Sequence, residues 1–365
     1  MYDTFIRRIA IDHAMKNIQA GMKTRAANIC GFDQWSMVEA ALNSEEPRLV
    51  ATRSTLQQLV DKAIDTAASV DAYAQLAWDD PRLGVKREPE WTAKRRRLQS
   101  WWREHELHAA PAMVPRRRFP VGNQIDPADV AGDRSLNFLN EAAHQHAEAR
   151  AVEVQAEAGT LDSERLFGNL LSSMPLCFNI FGALRDEPAF LPLVQQLFAP
   201  TAVSVDAVVC EWRPRPKIDF LDDNTAFDAA IWFTDDQGRS CLLGVEVKYT
   251  DSFSTKLYGY VPHRDATLAS GWFAEGTFEQ MSCSVPANQL WRNLLLAASL
   301  ESSKAKAHRV QWAGVVVLSL AADHGAAKAI AEVEPLLVDG AKATIIRRRE
   351  TYDDLVRAEM TTTAV

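Results

Sequence analysis

Phe227-Asp228-Ala229-Ala230-Ile231-Trp232-Phe233 is followed by Thr234-Asp235-Asp236-Gln237-Gly238-Arg239-Ser240. Then comes Cys241-Leu242-Leu243-Gly244-Val245-Glu246-Val247-Lys248-Tyr249. Two apolar runs joined by a polar, glycine-containing turn predict a pair of strands. Glu246 and Lys248 are two apart, so in a strand both project from one face while Val245 and Val247 project from the other. Asp228 stands at the start of the first run. Charged groups are seldom buried without partners, and setting two in an apolar strand costs on the order of several kcal/mol. A chain that carries this cost is expected to use the charges, and a bound cation would offset it.

The chemistry suited to this set is metal-assisted hydrolysis of a phosphodiester. Asp228 and Glu246 offer hard oxygen ligands for Mg²⁺, an ion that takes one or two carboxylates together with water and substrate phosphate. Lys248 would orient or deprotonate the attacking water and counter charge growing on phosphorus. The backbone carbonyl of Val247, between the two side chains, is a further candidate ligand. An isolated E-x-K carries little information, because ordinary usage of Glu and Lys produces one about once in a chain this long. The context is what gives it weight: a preceding acid at a strand edge, a turn, then E-x-K inside an apolar run. The alternative is a solvent-facing strand with a Glu–Lys pair, worth about 0–1 kcal/mol.

These residues resemble the PD-(D/E)XK nuclease superfamily, with the restriction-endonuclease-like fold. Asp228 matches the first acid of that pattern and Glu246-Val247-Lys248 the (D/E)-x-K tripeptide, with Phe227 where the family name has Pro. The resemblance implies an α/β core, a central mixed β-sheet flanked by helices in αβββαβ order, running from about Leu161 to Leu320. It extends to an acid on the leading helix (Glu164), the Glu211-Trp212-Arg213-Pro214 segment and the Gln289-Leu290-Trp291-Arg292-Asn293 helix. These are similar to a branch of bacterial restriction-endonuclease-like proteins. The resemblance implies a Mg²⁺-dependent endonuclease, Mn²⁺ substituting, with DNA as the expected substrate and restriction, repair or anti-phage defence as the setting. The alternative from another class keeps the fold without catalysis, as a nucleic-acid-binding or assembly subunit.

The chain has 365 residues, enough for two domains, and a formal net charge of −8. An acidic chain confines any nucleic-acid contact to local basic patches. The five cysteines, Cys30, Cys177, Cys210, Cys241 and Cys283, are scattered with no C-x-x-C pair, which argues against a zinc site or a disulfide framework and fits a reducing cytoplasm. The first twenty residues interleave charges with apolar positions at helical spacing, unlike a secretory signal. No apolar run approaches membrane-spanning length. Phosphate-binding G-x-x-x-x-G-K-[ST], G-x-S-x-G and H-E-x-x-H motifs are absent from the sequence.

Residues 1–158 read as a helical N-terminal domain for substrate or partner binding, and 159–365 as the nuclease-like domain. Helical periodicity marks 56–77 and 136–158, with prolines punctuating the stretch between them. Beyond, the pattern predicts a helix capped near Asp162 and stopped by Pro175, then strands at 203–212, 226–233 and 241–249. A helix at 286–302, a buried strand at 311–320, a helix at 325–337, an edge strand at 343–346 and a last helix at 351–359 complete the order. The connection 250–286 is long enough to be functional or flexible.

Of the remaining candidates, Glu164 would assist the metal or its water, or would be an ordinary first-turn acid favoured by the helix dipole. By resemblance Gln289 would touch the metal-bound water or the lysine, and Arg292, three residues on, a substrate phosphate; the alternative is a polar helix face. Glu211, another acid near the site, reads as a strand-end surface residue or a partner of Arg213; Tyr249, just after the lysine, would support the site or, as is commoner for an aromatic ending a strand, serve packing. The clusters Lys94-Arg95-Arg96-Arg97 and Arg116-Arg117-Arg118, flanked by Trp91, Trp101, Trp102 and Phe119, would carry nucleic acid, Arg95, Arg96, Arg97 and Arg117 foremost. The alternative is an amphipathic helix with its tryptophans inward and its arginines in solvent. His144 and His146 read as surface residues.

Overall fold

The computed structural model describes residues 62, 65–66, 68–77, 80–84, 88–113, 119–157, 159, 161–183, 190–302, 308–338 and 349–351. The chain forms two compact units, Met1–Leu139 with Gly168–Leu171, and Asn140–Phe167 with Ser172–Val365. The second unit therefore begins ahead of the boundary expected at 158.

In the first unit, helix α1 (Glu90–His105) buries Leu98, Trp101 and Trp102 against Val70, Tyr73, Leu76 and Leu83. Its arginines are not in solvent. Arg97 is buried and reaches the Leu76 carbonyl (3.0 Å) and Glu90 (2.8 Å), while Arg96 grips both carboxylate oxygens of Glu88 (2.8 Å each). The unit is not wholly helical: β1 (Pro111–Ala112) and β2 (Val121–Ile125) form a two-stranded antiparallel ribbon, after which comes α2 (Pro127–Gly132).

The second unit is built on a five-stranded sheet. Helices α3 (Glu141–Ala156), α4 (Ser163–Gly168), α5 (Ser173–Cys177, continuing as a π turn through Gly182) and α6 (Phe190–Leu197) lead into it. Pro175 does not stop a helix, because it falls in the first turn of α5, where its missing N–H is not needed. The strands β3 (Ala202–Trp212), β4 (Phe227–Asp235), β5 (Ser240–Val247), β6 (Trp312–Ser319) and β7 (Arg349–Thr351) lie in that order. The β3–β4 and β4–β5 pairs are antiparallel; β5–β6 and β6–β7 are parallel. Between β5 and β6 run α7 (Val261–Ser270), α8 (Thr277–Met281) and α9 (Asn288–Ser302), and α10 (His324–Val333) follows β6. This is a mixed α/β core with the predicted αβββαβ order. The expected strand at 343–346 and the final helix lie outside the described residues.

Position in the sheet explains the composition of the strands. β5 is central and covered on both faces, so it reads as a continuous apolar run instead of an alternation. Turn residues join it to β4: the Asp235 carboxylate accepts from the N–H groups of Gln237 and Arg239, and Gly238 takes φ 72°, open to glycine at no steric cost. α9 covers one face with Leu290, Trp291, Leu294 and Ala297 packed on Ala230, Leu242, Val315 and Val317. β3 is the sheet edge, and α3 satisfies its outward backbone groups. His146 Nε2 accepts from the Cys210 N–H (3.2 Å), and Arg150 donates to the carbonyls of Cys210 and Glu211 (3.0 Å each). His146 is thus buried, contrary to the surface position expected from its sequence.

Gly244 of β5 has a steric reason. A Cβ there would stand 2.4 Å from the Phe227 ring, which lies over the strand and stacks on Trp212 (6.2 Å between centroids, 12° between planes). Phe227, in place of the family Pro, therefore fills the space that glycine leaves. Gly244→Ala is expected to lower stability by about 1–3 kcal/mol through overpacking. An unchanged urea unfolding midpoint would show that the ring has room to move.

Candidate active site

The β4–β5 ladder ends at Ala229↔Val245. One residue further, the Asp228 carboxylate has moved into the ladder's place, and its Oδ2 accepts the Val247 N–H at 2.7 Å. Behind it, the Cys177 thiol of α5 donates to the Asp228 carbonyl (2.9 Å). The end of the strand pair is therefore held open by a side chain, with Asp228 half-buried in the gap.

Glu246, 1% exposed, faces α9. Its Oε1 accepts from the Gln289 amide (2.6 Å) and its Oε2 from the Asn293 amide (2.6 Å). Gln289 and Asn293 are four apart on one helix face, so a single helix supplies both donors. Lys248 Nζ lies 2.5 Å from Glu246 Oε1 and 4.6 Å from the centre of the Phe253 ring, over which it sits. Glu211 joins the set from β3. The β3–β4 register, with Cys210 opposite Ala229 and Trp212 opposite Phe227, brings Glu211 level with Asp228. Its φ of 53° departs from strand geometry, an arrangement that costs energy in a non-glycine residue and clusters at functional sites.

The charges of this set act on one another. Burial, and then the negative charges of Glu246 and Glu211, push the Asp228 carboxyl well above the usual carboxylate range, against the pull of Lys248 and the Val247 N–H. Burial, with Cys210 and Glu246 adding to it, raises Glu211 to about 7. Burial disfavours the Lys248 ammonium, but Glu246 and Asp228 outweigh it and hold its pKa above the ordinary lysine value. Three acids crowd one ammonium in a largely buried site, with Arg165 and Arg150 drawing only on Glu211. A hard divalent cation fits that excess of negative charge and that oxygen donor set. Among the described residues no three His, Cys, Asp or Glu side chains are gathered as a ready-made metal cage; Mg²⁺ needs no such cage, since it keeps several waters.

A pH dependence follows for the metal-free protein. Glu211 binds its proton up to about 7 when folded and to 4.5 when unfolded, so between these values the native state holds more protons. Stability then falls as pH rises through that window, by up to about 3 kcal/mol. Glu211→Gln should remove that share of the slope. Urea unfolding in EDTA from pH 5 to 8 measures it, and equal slopes for the two proteins would contradict it.

The structure brings Asp228, Glu246, Val247, Lys248 and Gln289 together, and leaves other candidates elsewhere. Glu164 is solvent-exposed in the first turn of α4. Its neighbour Arg165 instead reaches Ser172 (3.1 Å) and Asp251 (3.4 Å), and acts on Glu211. Arg292 corrects a second expectation. It is buried, donating to Thr225 (2.7 Å), Asp223 and Asn288 (3.3 Å each), with Tyr258 stacked at 4.1 Å, so it braces the framework instead of facing a phosphate. Arg96 and Arg97 are likewise engaged by protein acids, Arg95 is half-buried on the same helix, and Arg117 lies outside the described residues. Arg213 pairs with Glu157 (4.0 Å), and Glu211 acts on it through its charge. Asn293 was legible in the sequence, four residues after Gln289. Nothing local in the sequence marks the turn of Glu211 toward Asp228.

The family model of the PD-(D/E)XK nuclease superfamily matches residues 86–364, and the chain belongs to that superfamily. Comparison with curated proteins and comparison with solved structures each give no match. Membership carries a nuclease-type function with a nucleic-acid substrate, in a superfamily that generally uses divalent metals. Among the described residues no helix is long and apolar enough to cross a membrane.

Proposed function

We propose that this protein is a Mg²⁺-dependent endonuclease acting on DNA. The observation that carries the reading is the convergence of Asp228, Glu246 and Lys248 at the open end of the β4–β5 ladder, with Lys248 held charged. Asp228 and Glu246 would hold the ion, together with the Val247 carbonyl. The N–H and C=O of one strand residue turn to the same neighbouring strand, so that carbonyl opens toward the gap in which Asp228 lies. The bound ion would supply Lewis-acid polarisation of the phosphate and an acidified water.

The protein's own groups do the rest. Gln289 and Asn293 fix the Glu246 carboxylate from the helix side, so its orientation does not depend on solvent. Lys248 is an ammonium in this environment. Its role is therefore to donate, orienting the attacking water and stabilising charge on the phosphorane, instead of taking the proton. Burial of the set keeps the local dielectric low and strengthens each of these interactions.

A second reading has its own support, since Lys248 and Glu246 pair directly with each other at 2.5 Å. In that reading the pair is structural and the protein binds nucleic acid or a partner without cutting. Plasmid, linear duplex, single-stranded DNA and RNA incubated with Mg²⁺ or EDTA separate the two. Mg²⁺-dependent nicking or linearisation of plasmid is the expected outcome. Intact substrates throughout, with no Mg²⁺ or Mn²⁺ binding by calorimetry, would favour the second.

A further inference from the structure

The segment leaving Lys248 presents apolar side chains to solvent on an immobilised backbone. Of the eleven large hydrophobics exposed among the described residues, three fall within five positions: Leu257 (45%), Tyr260 (59%) and Val261 (59%). Large apolar side chains exposed so close together in the chain are candidates for a contact site. Exposed Lys256 adds a positive charge beside them.

The backbone around this tip is fastened to the helix that holds the candidate metal carboxylate. Gln289 donates to Glu246 with its amide nitrogen and with its oxygen accepts the Ser254 N–H (2.8 Å). The Asn288 amide pairs with both backbone groups of Tyr258, accepting its N–H (3.2 Å) and donating to its carbonyl (2.9 Å). The Tyr260 N–H donates to His263 Nδ1 (3.2 Å), which assigns the ring proton to Nε2, 3.0 Å from Asp223. Asp223 in turn accepts from Arg292, on which Tyr258 stacks. A chain fixed on both sides of Leu257 loses little further freedom on binding, the hallmark of a preorganised contact surface.

We propose that Leu257, Tyr260 and Val261, with Lys256, form a rigid prong that stacks on and wedges against an unpaired base of the nucleic-acid strand held at Asp228, Glu246 and Lys248. Aromatic faces stack on bases of any sequence, and apolar wedges enter between base steps and unstack them. Lys256 supplies a phosphate contact alongside. The prong therefore favours single-stranded or locally opened nucleic acid over blunt duplex. The choice of ligand rests on the nuclease reading; the geometry of the prong does not.

Binding is measured by fluorescence anisotropy with a labelled single strand and its blunt duplex, in EDTA so that no cleavage interferes. Tyr260→Ala and Leu257→Ala are each expected to weaken single-strand binding on the order of 10-fold, and duplex binding less. Tyr260→Phe keeps the ring and should stay within about twofold of wild type. Leu257→Ala should melt like wild type, and Tyr260→Ala, which loses ring contacts with Tyr258 and His263, is compared with Tyr260→Phe so that any drop in Tm is separated from the loss of binding. Unchanged single-strand affinity in both alanine variants would overturn the proposal and leave the tip to a protein partner; so would a wild type that binds no nucleic acid. Cleavage in Mg²⁺ separates the two readings. A wild type that cuts while Tyr260→Ala and Leu257→Ala bind and cut equally well removes the prong alone. A wild type that binds but never cuts, with both alanine variants binding weakly, removes the nuclease reading alone.

Discussion

Lys248→Ala protein supplied with Mg²⁺ and DNA is expected to cleave at least about 100-fold more slowly than wild type. That is the scale of loss when one electrostatic donor is removed from a developing charge in a water-poor site. Lys248 is buried, positive and within 2.5 Å of the carboxylate assigned to the metal, so no solvent molecule reproduces its charge. The same substitution strands Glu246. Breaking a buried ion pair costs about 3–5 kcal/mol, a figure the Gln289 and Asn293 amides should reduce because they remain as donors. Lys248→Met is the informative companion, since it keeps an unbranched apolar stem in the buried position and removes the ammonium with its contact over the Phe253 ring. Both variants should lose cleavage together while Lys248→Met melts nearer to wild type. Initial rates on supercoiled plasmid, taken beside thermal melts, provide the check. A folded Lys248→Met protein cutting at the wild-type rate would refute the assignment of Lys248.

Asp228→Asn is expected to raise the stability of the metal-free protein while abolishing both cleavage and the response to Mg²⁺. The Asp228 carboxyl is pushed upward by burial and by Glu246 and Glu211, so its ionised form is disfavoured in the folded state. Stability is then lost as pH rises toward and through the folded pKa, because the native state retains a proton that the unfolded chain has released. Asparagine carries no charge to disfavour, and its side-chain carbonyl still accepts the Val247 N–H. The gain should grow as pH rises above the ordinary carboxylate range, because the ionised wild-type group is the disfavoured one. A bound Mg²⁺ would relieve the repulsion in wild type and raise Tm by ligand linkage, and in Asp228→Asn that rise should be lost. Scanning calorimetry at pH 8 in EDTA and in Mg²⁺ measures both. A variant less stable than wild type in EDTA, or one that keeps the full Mg²⁺ shift, would show that Asp228 does not belong to a metal-binding acid cluster.

The order of the core elements and the pairing of Asp228 with Glu246 and Lys248 were determined by the sequence alone. Strand periodicity, the apolar run of β5 and the Asp235–Gly238 turn are local features, and each acts over a few residues of chain. A one-residue slip would have turned Glu246 and Lys248 from α9 to the opposite face, so burial pinned the register as well. Pro175 was misread because a proline's effect depends on which turn of a helix it occupies, and the sequence does not mark the turn. Tertiary structure alone decided which polar residues face the site. Arg292 is drawn inward by Asp223, sixty-nine residues away, and His146 by the unpaired edge of β3, sixty-four residues away. Glu211 enters the acid cluster through a left-handed backbone turn that the sequence does not signal. Partners so distant in the chain leave no periodicity, because their attraction exists only once the sheet has brought them within reach.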